Sequence, residues 1–227
     1  MNEINFVKKL ALWVFIIPFI ATNSCLLLVT VFGEYLPPGI RIGKVFPYFD
    51  GGTSISRTAR NFPAYLIFKP AMIFTSFLLI KYWLITKKIV KNIDYNQQIS
   101  NYFVIFGILS AIFLIVHSIF LGVKFDYDLY KFFRRFVLLA FIIFEIVAQS
   151  LLVFRLFKLK SSIKNYFNNY ALILKIILVS ILVVVAIFSL PIVVTSGNVH
   201  FKHALEWNYF VGVILFYFLT YLFWKRV

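Results

Sequence analysis

The chain has 227 residues, of which 62% are hydrophobic and 20% aromatic, with a mean hydropathy of +0.92. Only 14% are charged, yet the formal net charge is +15. A soluble domain is about half apolar and about a quarter charged, so a water-soluble fold is excluded and hydrocarbon is the expected solvent.

The basic residues sit at the ends of apolar runs. That placement suits anionic lipid headgroups, and no patch is long enough to follow a nucleic-acid backbone. Membrane lipids are therefore the expected partners, and nucleic acid is not. The one cysteine, Cys25, cannot close an intramolecular disulfide. No cofactor signature is present.

Lys8 and Lys9 precede an apolar run over 10–32. It is too long for a signal peptide and lacks a small-x-small cut site, so it reads as a retained first span with Pro18 as a tolerated kink. Residues 33–63 form the longest polar segment, rich in turn formers such as Pro37, Pro38, Gly51, Gly52 and Pro63. It is expected to be an ordered loop packed on helix ends. Further spans are predicted over 64–86, 101–123, 132–157, 170–194 and 204–224, with short links between them. Each approaches or exceeds the ~20 residues that a spanning helix needs, and barrel strands are shorter and alternate in polarity. The expected fold is all-α: one domain, a polytopic integral membrane bundle of six transmembrane helices.

Six spans put both termini on one side. Lys8, Lys9, Lys87, Lys88, Lys91, Arg155, Lys158, Lys160, Lys164, Lys225 and Arg226 share it. They slightly outnumber the basic residues opposite, so the termini are expected in the cytoplasm, of a bacterial inner membrane or a eukaryotic endomembrane or plasma membrane.

Polar groups then gather on the opposite side. His200, His203 and Glu206 recur every third residue and share a face if a helix begins near Val199. Trp207 is a residue type found at bilayer boundaries. Histidine beside a carboxylate can move protons near neutral pH, bind a metal, or form a static hydrogen-bonded collar. No firm metal ligand set is visible. His117 joins the group from the outer third of the third span, and Asp126 and Asp128 from the link that follows. In the 51–63 segment, Ser54, Ser56, Arg57 and Arg60 can hold a phosphate, or the loop can bond to itself. Neither a phosphate-binding P-loop nor a nucleophile elbow is present. Glu145 and Gln149 lie one turn apart in the middle of the fourth span, where an acid should face other helices and be neutral or paired.

Ile55-Ser56 leading to Pro63, together with His203-Ala204-Leu205-Glu206-Trp207, resembles the Frag/DRAM/Sfk family of six-span membrane proteins. These include damage-regulated autophagy modulators and GPI-anchor lipid-remodelling factors. The resemblance implies six spans, cytoplasmic termini, and lipid remodelling or organisation at the outer or lumenal leaflet. It marks Ser56, Pro63, Glu206, Trp207 and His203. On the residues alone, three readings stay open: a lipid-acting protein with Glu206, His203 and His117 as candidate catalytic groups, a non-catalytic scaffold or regulator, and a proton-coupled small-solute transporter around Glu145. Whether the protein is an enzyme is left open.

Overall fold

The computed structural model describes residues 2–36, 41–93, 102–123, 125, 127–160, 166–195 and 197–225. Lys124, Asp126, Lys164 and Arg226 lie outside the described residues. The chain runs through α1 (Asn2–Thr30), a 3-10 turn (Gly33–Tyr35), α2 (Pro47–Asp50), α3 (Ile55–Ala59), α4 (Ala64–Ile93), α5 (Tyr102–Phe120), α6 (Asp128–Lys158), α7 (Asn169–Val194) and α8 (Val199–Phe223). No strand occurs among the described residues. Six helices (α1, α4, α5, α6, α7 and α8) are long and apolar enough to cross a membrane. The protein is an all-α, multi-pass integral membrane protein.

The shortest of these, α5, has 19 residues, or about 28 Å at 1.5 Å per residue, close to the ~30 Å of a hydrocarbon core. The others begin or end beyond the expected bounds, and in α1 and α4 an inward stripe continues into the extension. In α1, Val7 is fully buried and Leu10 nearly so, and the helix starts at Asn2 rather than at residue 10. In α4, the segment after Lys87 was expected to be a polar loop but stays helical to Ile93. Ile89 and Val90 are buried there while Lys87, Lys88 and Lys91 point outward, the arrangement of an amphipathic extension. α5 stops at Phe120, before residue 123, and Gly122 just beyond it takes a left-handed φ of 82°. α6 begins at Asp128, ahead of residue 132.

Hydroxyls inside the spans return to the carbonyl one turn back. Thr75 donates to Ala71 at 2.8 Å, Ser118 to Leu114 at 2.7 Å and Thr220 to Phe216 at 2.9 Å. In hydrocarbon no water can satisfy them, so the helix itself does. Pro18, Pro70 and Pro191 lie inside α1, α4 and α7, as neighbouring helices in a membrane permit. The central packing is aromatic: Tyr82 meets Tyr217 with ring centroids 4.9 Å apart and Trp83 at 5.1 Å, both edge-on.

Two sets of contacts define the ends of the bundle. At one end, the C-terminal segment and the α6–α7 link meet through a Phe167–Trp224 bridge, with Lys225 N donating to Tyr166 O at 2.9 Å. This is the terminal face. At the other end, α2 and α3 sit on the first turns of α8. This is the loop face.

Candidate functional site

The loop face is built around Asp50. Its two carboxylate oxygens accept the amides of Phe46 and Gly52, each at 2.7 Å. Those bonds hold its carboxyl below the ordinary aspartate range, with a smaller contribution from His200. The turn they fix closes α2 on Gly51, which has a φ of 59°. A Cβ on Gly51 would lie 1.7 Å from the carbonyl oxygen of His200. Only glycine permits both that backbone and that approach.

The loop then lies against the start of α8, and four α8 side chains bond to it. Gly51 O accepts from His203 Nδ1 at 3.0 Å. Trp207 Nε1 donates to Thr53 O at 2.9 Å, and Asn208 Nδ2 to Tyr48 O at 2.8 Å. Glu206 Oε1 accepts from Ser56 N at 3.3 Å and from Ser56 Oγ at 3.5 Å. Because a carbonyl only accepts, His203 Nδ1 must carry hydrogen, and in the neutral ring the lone pair sits on Nε2.

Ser54 and Trp207 are not where a headgroup-binding role would put them. The Ser54 hydroxyl accepts from Arg57 N at 3.1 Å as the N-cap of α3. Trp207 is fully buried and packs edge-on to Tyr48 with centroids 4.9 Å apart. It pins the loop instead of facing lipid. Ser56 and Glu206 are brought together, with His203 one turn before Glu206. His200, His203 and Glu206 share a helix face, yet no group of three His, Cys, Asp or Glu able to hold a metal ion forms among the described residues; His200 is exposed.

Basic groups surround this pair. Arg60 Nε donates to Ser56 O at 3.0 Å. Burial, with the nearby charges of Arg134 and Arg57, pushes the Arg60 guanidinium below its ordinary range, and Glu206 opposes the shift. Arg134, in the second turn of α6, also acts electrostatically on His117, as Arg57 and Arg60 do on His203. Gly122, at φ 82°, lets the α5–α6 link pass close over Arg60: a Cβ there would be 2.7 Å from the Arg60 carbonyl oxygen.

Beneath the loop face lies a chamber of about 70 Å³. Five of the six spanning helices line it, and only α7 stands outside; Ile55 of α3 roofs it. Its wall is apolar except at the ends. Glu206 and His117 border it near the loop face, and Glu145 and Tyr217 border it at mid-membrane.

Glu145 is fully buried. Its Oε1 accepts from Tyr217 OH and, at 3.1 Å, from Gln149 Nε2; its Oε2 contacts Ser110 Oγ. Gln149 Nε2 also donates to Val213 O on α8 at 3.1 Å. Ser110 has one hydrogen and two acceptors in reach, Gly107 O at 2.9 Å being the other. A carboxyl hydrogen on Oε2 satisfies both contacts at once, whereas a carboxylate satisfies one. Glu145 and Gln149 thus tie α5, α6 and α8 together, as expected of an acid facing other helices. Their partners Ser110 and Tyr217 went unread in the sequence. The signal was there: each is a hydroxyl within an apolar run.

No protein-family model, curated protein or solved structure matches the chain.

Proposed function

We propose that the protein binds a membrane lipid from the leaflet at its loop face and acts on it there. The headgroup sits at the rim formed by Ser56, Arg57, Arg60, His203 and Glu206, and one chain enters the chamber below. What carries the reading is the chamber itself: an apolar void inside five spans, bordered by a carboxyl and an imidazole at one end. Ligand sites of this kind pair an apolar wall with a few convergent polar groups. In the proposed chemistry Glu206 exchanges a proton with the Ser56 hydroxyl or with a substrate hydroxyl, and His203 Nε2 or His117 serves as the second acid–base group. The reading agrees with the resemblance of 55–63 and 203–207 to the Frag/DRAM/Sfk family, and membership is part of the proposal. The terminal face is read as cytoplasmic from its slight excess of Lys and Arg.

The test compares lipid profiles of deletion cells rescued with wild type or Glu206→Gln. Gln keeps an oxygen for the Ser56 amide but cannot move a proton. Lipid turnover should fall at least about a hundredfold while expression and melting temperature hold. Loss of folding together with turnover would make Glu206 a structural collar.

A second reading is a non-catalytic scaffold. Its support is that His203, Trp207 and Asn208 all bond to loop backbone, as a purely structural staple would. It expects an unchanged lipid profile in deletion cells and mislocalised partner proteins.

A further inference from the structure

We infer that Glu145 is a proton-binding site at mid-membrane, exchanging its proton with the loop face through the chamber. This goes beyond the lipid reading and rests on a different observation, the set of partners around Glu145. Three donors reach that carboxyl: Tyr217 OH and Gln149 Nε2 at Oε1, and Ser110 Oγ at Oε2. With a hydrogen on Oε2, Ser110 accepts it and points its own hydrogen at Gly107 O, at 2.9 Å. Without it, the Ser110 hydroxyl turns to Oε2, and all three donors face a carboxylate. The change is a rotation about one bond, and no helix has to move. Both forms therefore keep their hydrogen bonds, and donors aimed at the charged form are what let it exist at such depth. An acid that only ties helices together needs just one form.

Glu145 also has a way out. On α5, Ser110, Leu114 and His117 share one face, and on α8, Tyr217, Val213, Phe210 and Glu206 share another. All but Ser110 border the chamber, as Glu145 does. Each face is polar at both ends and apolar between. The chamber's volume exceeds what one water needs, and the polar ends give water its anchors. Water between those ends carries the proton. Toward the terminal face the core is filled instead by Trp83, Phe103 and Phe223, all buried, with the Trp83 and Phe103 ring centroids 6.1 Å apart. The exchange is therefore one-sided. Other titratable side chains nearby are engaged elsewhere. Tyr82 of α4 lies edge-on to Tyr217 and reaches Thr220 at 3.4 Å, Tyr209 of α8 reaches Ser189 at 3.3 Å, and Lys175 of α7 lies over Phe216. On α6 itself the nearest charged residues in sequence are Arg135 and Arg155, and α1 gives the chamber wall only Val14 and Pro18.

The experiment uses the full chain reconstituted in phosphatidylcholine bilayers. Infrared spectra follow the C=O stretch of an undissociated carboxyl over the pH range in which the protein stays folded. Wild type should show a band that Glu145→Gln loses and Glu206→Gln keeps. On transfer to deuterated buffer that band should move to lower frequency as its hydrogen exchanges. Leu114→Phe, which narrows the chamber between His117 and Ser110, should keep the band and slow the shift. If Glu145→Gln fails to fold, Ser110→Ala assigns the band instead, because loss of the bond at Oε2 should raise its frequency. A band at no pH would mean a permanent carboxylate and overturns the inference. A band that never shifts while exposed amides exchange would mean a permanent acid that only ties helices, and overturns it equally. A shift as fast in Leu114→Phe as in wild type overturns the chamber as the proton's route.

Discussion

At the scale of single residues, two side chains have consequences that solution measurements can read. Asp50 holds the α2 turn through two amide bonds, and its carboxyl is depressed in the folded protein. A depressed carboxyl stabilises the fold above the ordinary aspartate range and stops doing so as pH falls through the folded value. Acid should therefore loosen the 46–60 segment before the bundle. Protease nicking of that segment, followed against pH, should rise in the acid range for wild type. In Asp50→Asn it should already be high at neutral pH and should no longer depend on that titration. Lys175 is the second. It is fully buried, and its ammonium lies 4.0 Å from the Phe216 centroid and 5.3 Å from that of Phe223. It has no hydrogen-bond partner among the described residues. Cation–π contact offsets only part of the cost of burying an unpaired charge. Lys175→Met should raise stability by about 1–3 kcal/mol, seen as a higher midpoint in thermal unfolding. A loss of stability would mean that the amine has a partner.

At the scale of elements, α2, α3 and the start of α8 behave as one unit, a roof bonded to the bundle mostly through loop backbone. Gly51 is its tightest point. Gly51→Ala meets both a left-handed φ and the His200 carbonyl, so it should cost about 1–3 kcal/mol locally. The bundle should keep its helicity by circular dichroism while the 46–60 segment becomes protease-sensitive; unchanged protection would show that the roof does not depend on this approach. The helices were legible in the sequence because hydrocarbon demands long unbroken apolar runs. The last span, predicted from residue 204, begins at Val199, the start under which His200, His203 and Glu206 share a face. The roof was not legible. The 51–63 segment reads as a phosphate-holding loop or one bonded to itself, and nothing in its composition says that Ser54 becomes an N-cap or that Trp207 turns inward to hold Thr53. Ser56 and Glu206 stand 150 positions apart, and no periodicity links residues at that distance. The extension of α4 was missed for a related reason: Lys87, Lys88 and Lys91 look like a loop until Ile89 and Val90 are seen to be buried between them.

At the scale of the whole molecule, the bundle is asymmetric across the membrane. Its terminal face carries the Phe167–Trp224 bridge, and its loop face carries the roof of α2 and α3 with Arg57 and Arg60. A basic residue at a span end, such as Arg134, is ordinary in a membrane sequence; in the fold α6 packs against α5, which carries His117. The chamber was invisible for a simpler reason, since a void has no residue of its own. The account rests on that void holding a hydrocarbon chain. Val213, buried at its wall, is the place to fill it. The protein should be isolated from its own membranes in wild-type form and as Val213→Phe, and the retained lipid weighed by native mass spectrometry. Wild type should keep one lipid per chain through delipidating washes, and Val213→Phe, still folded, should keep none. Equal retention by both would contradict the chamber as the lipid's seat.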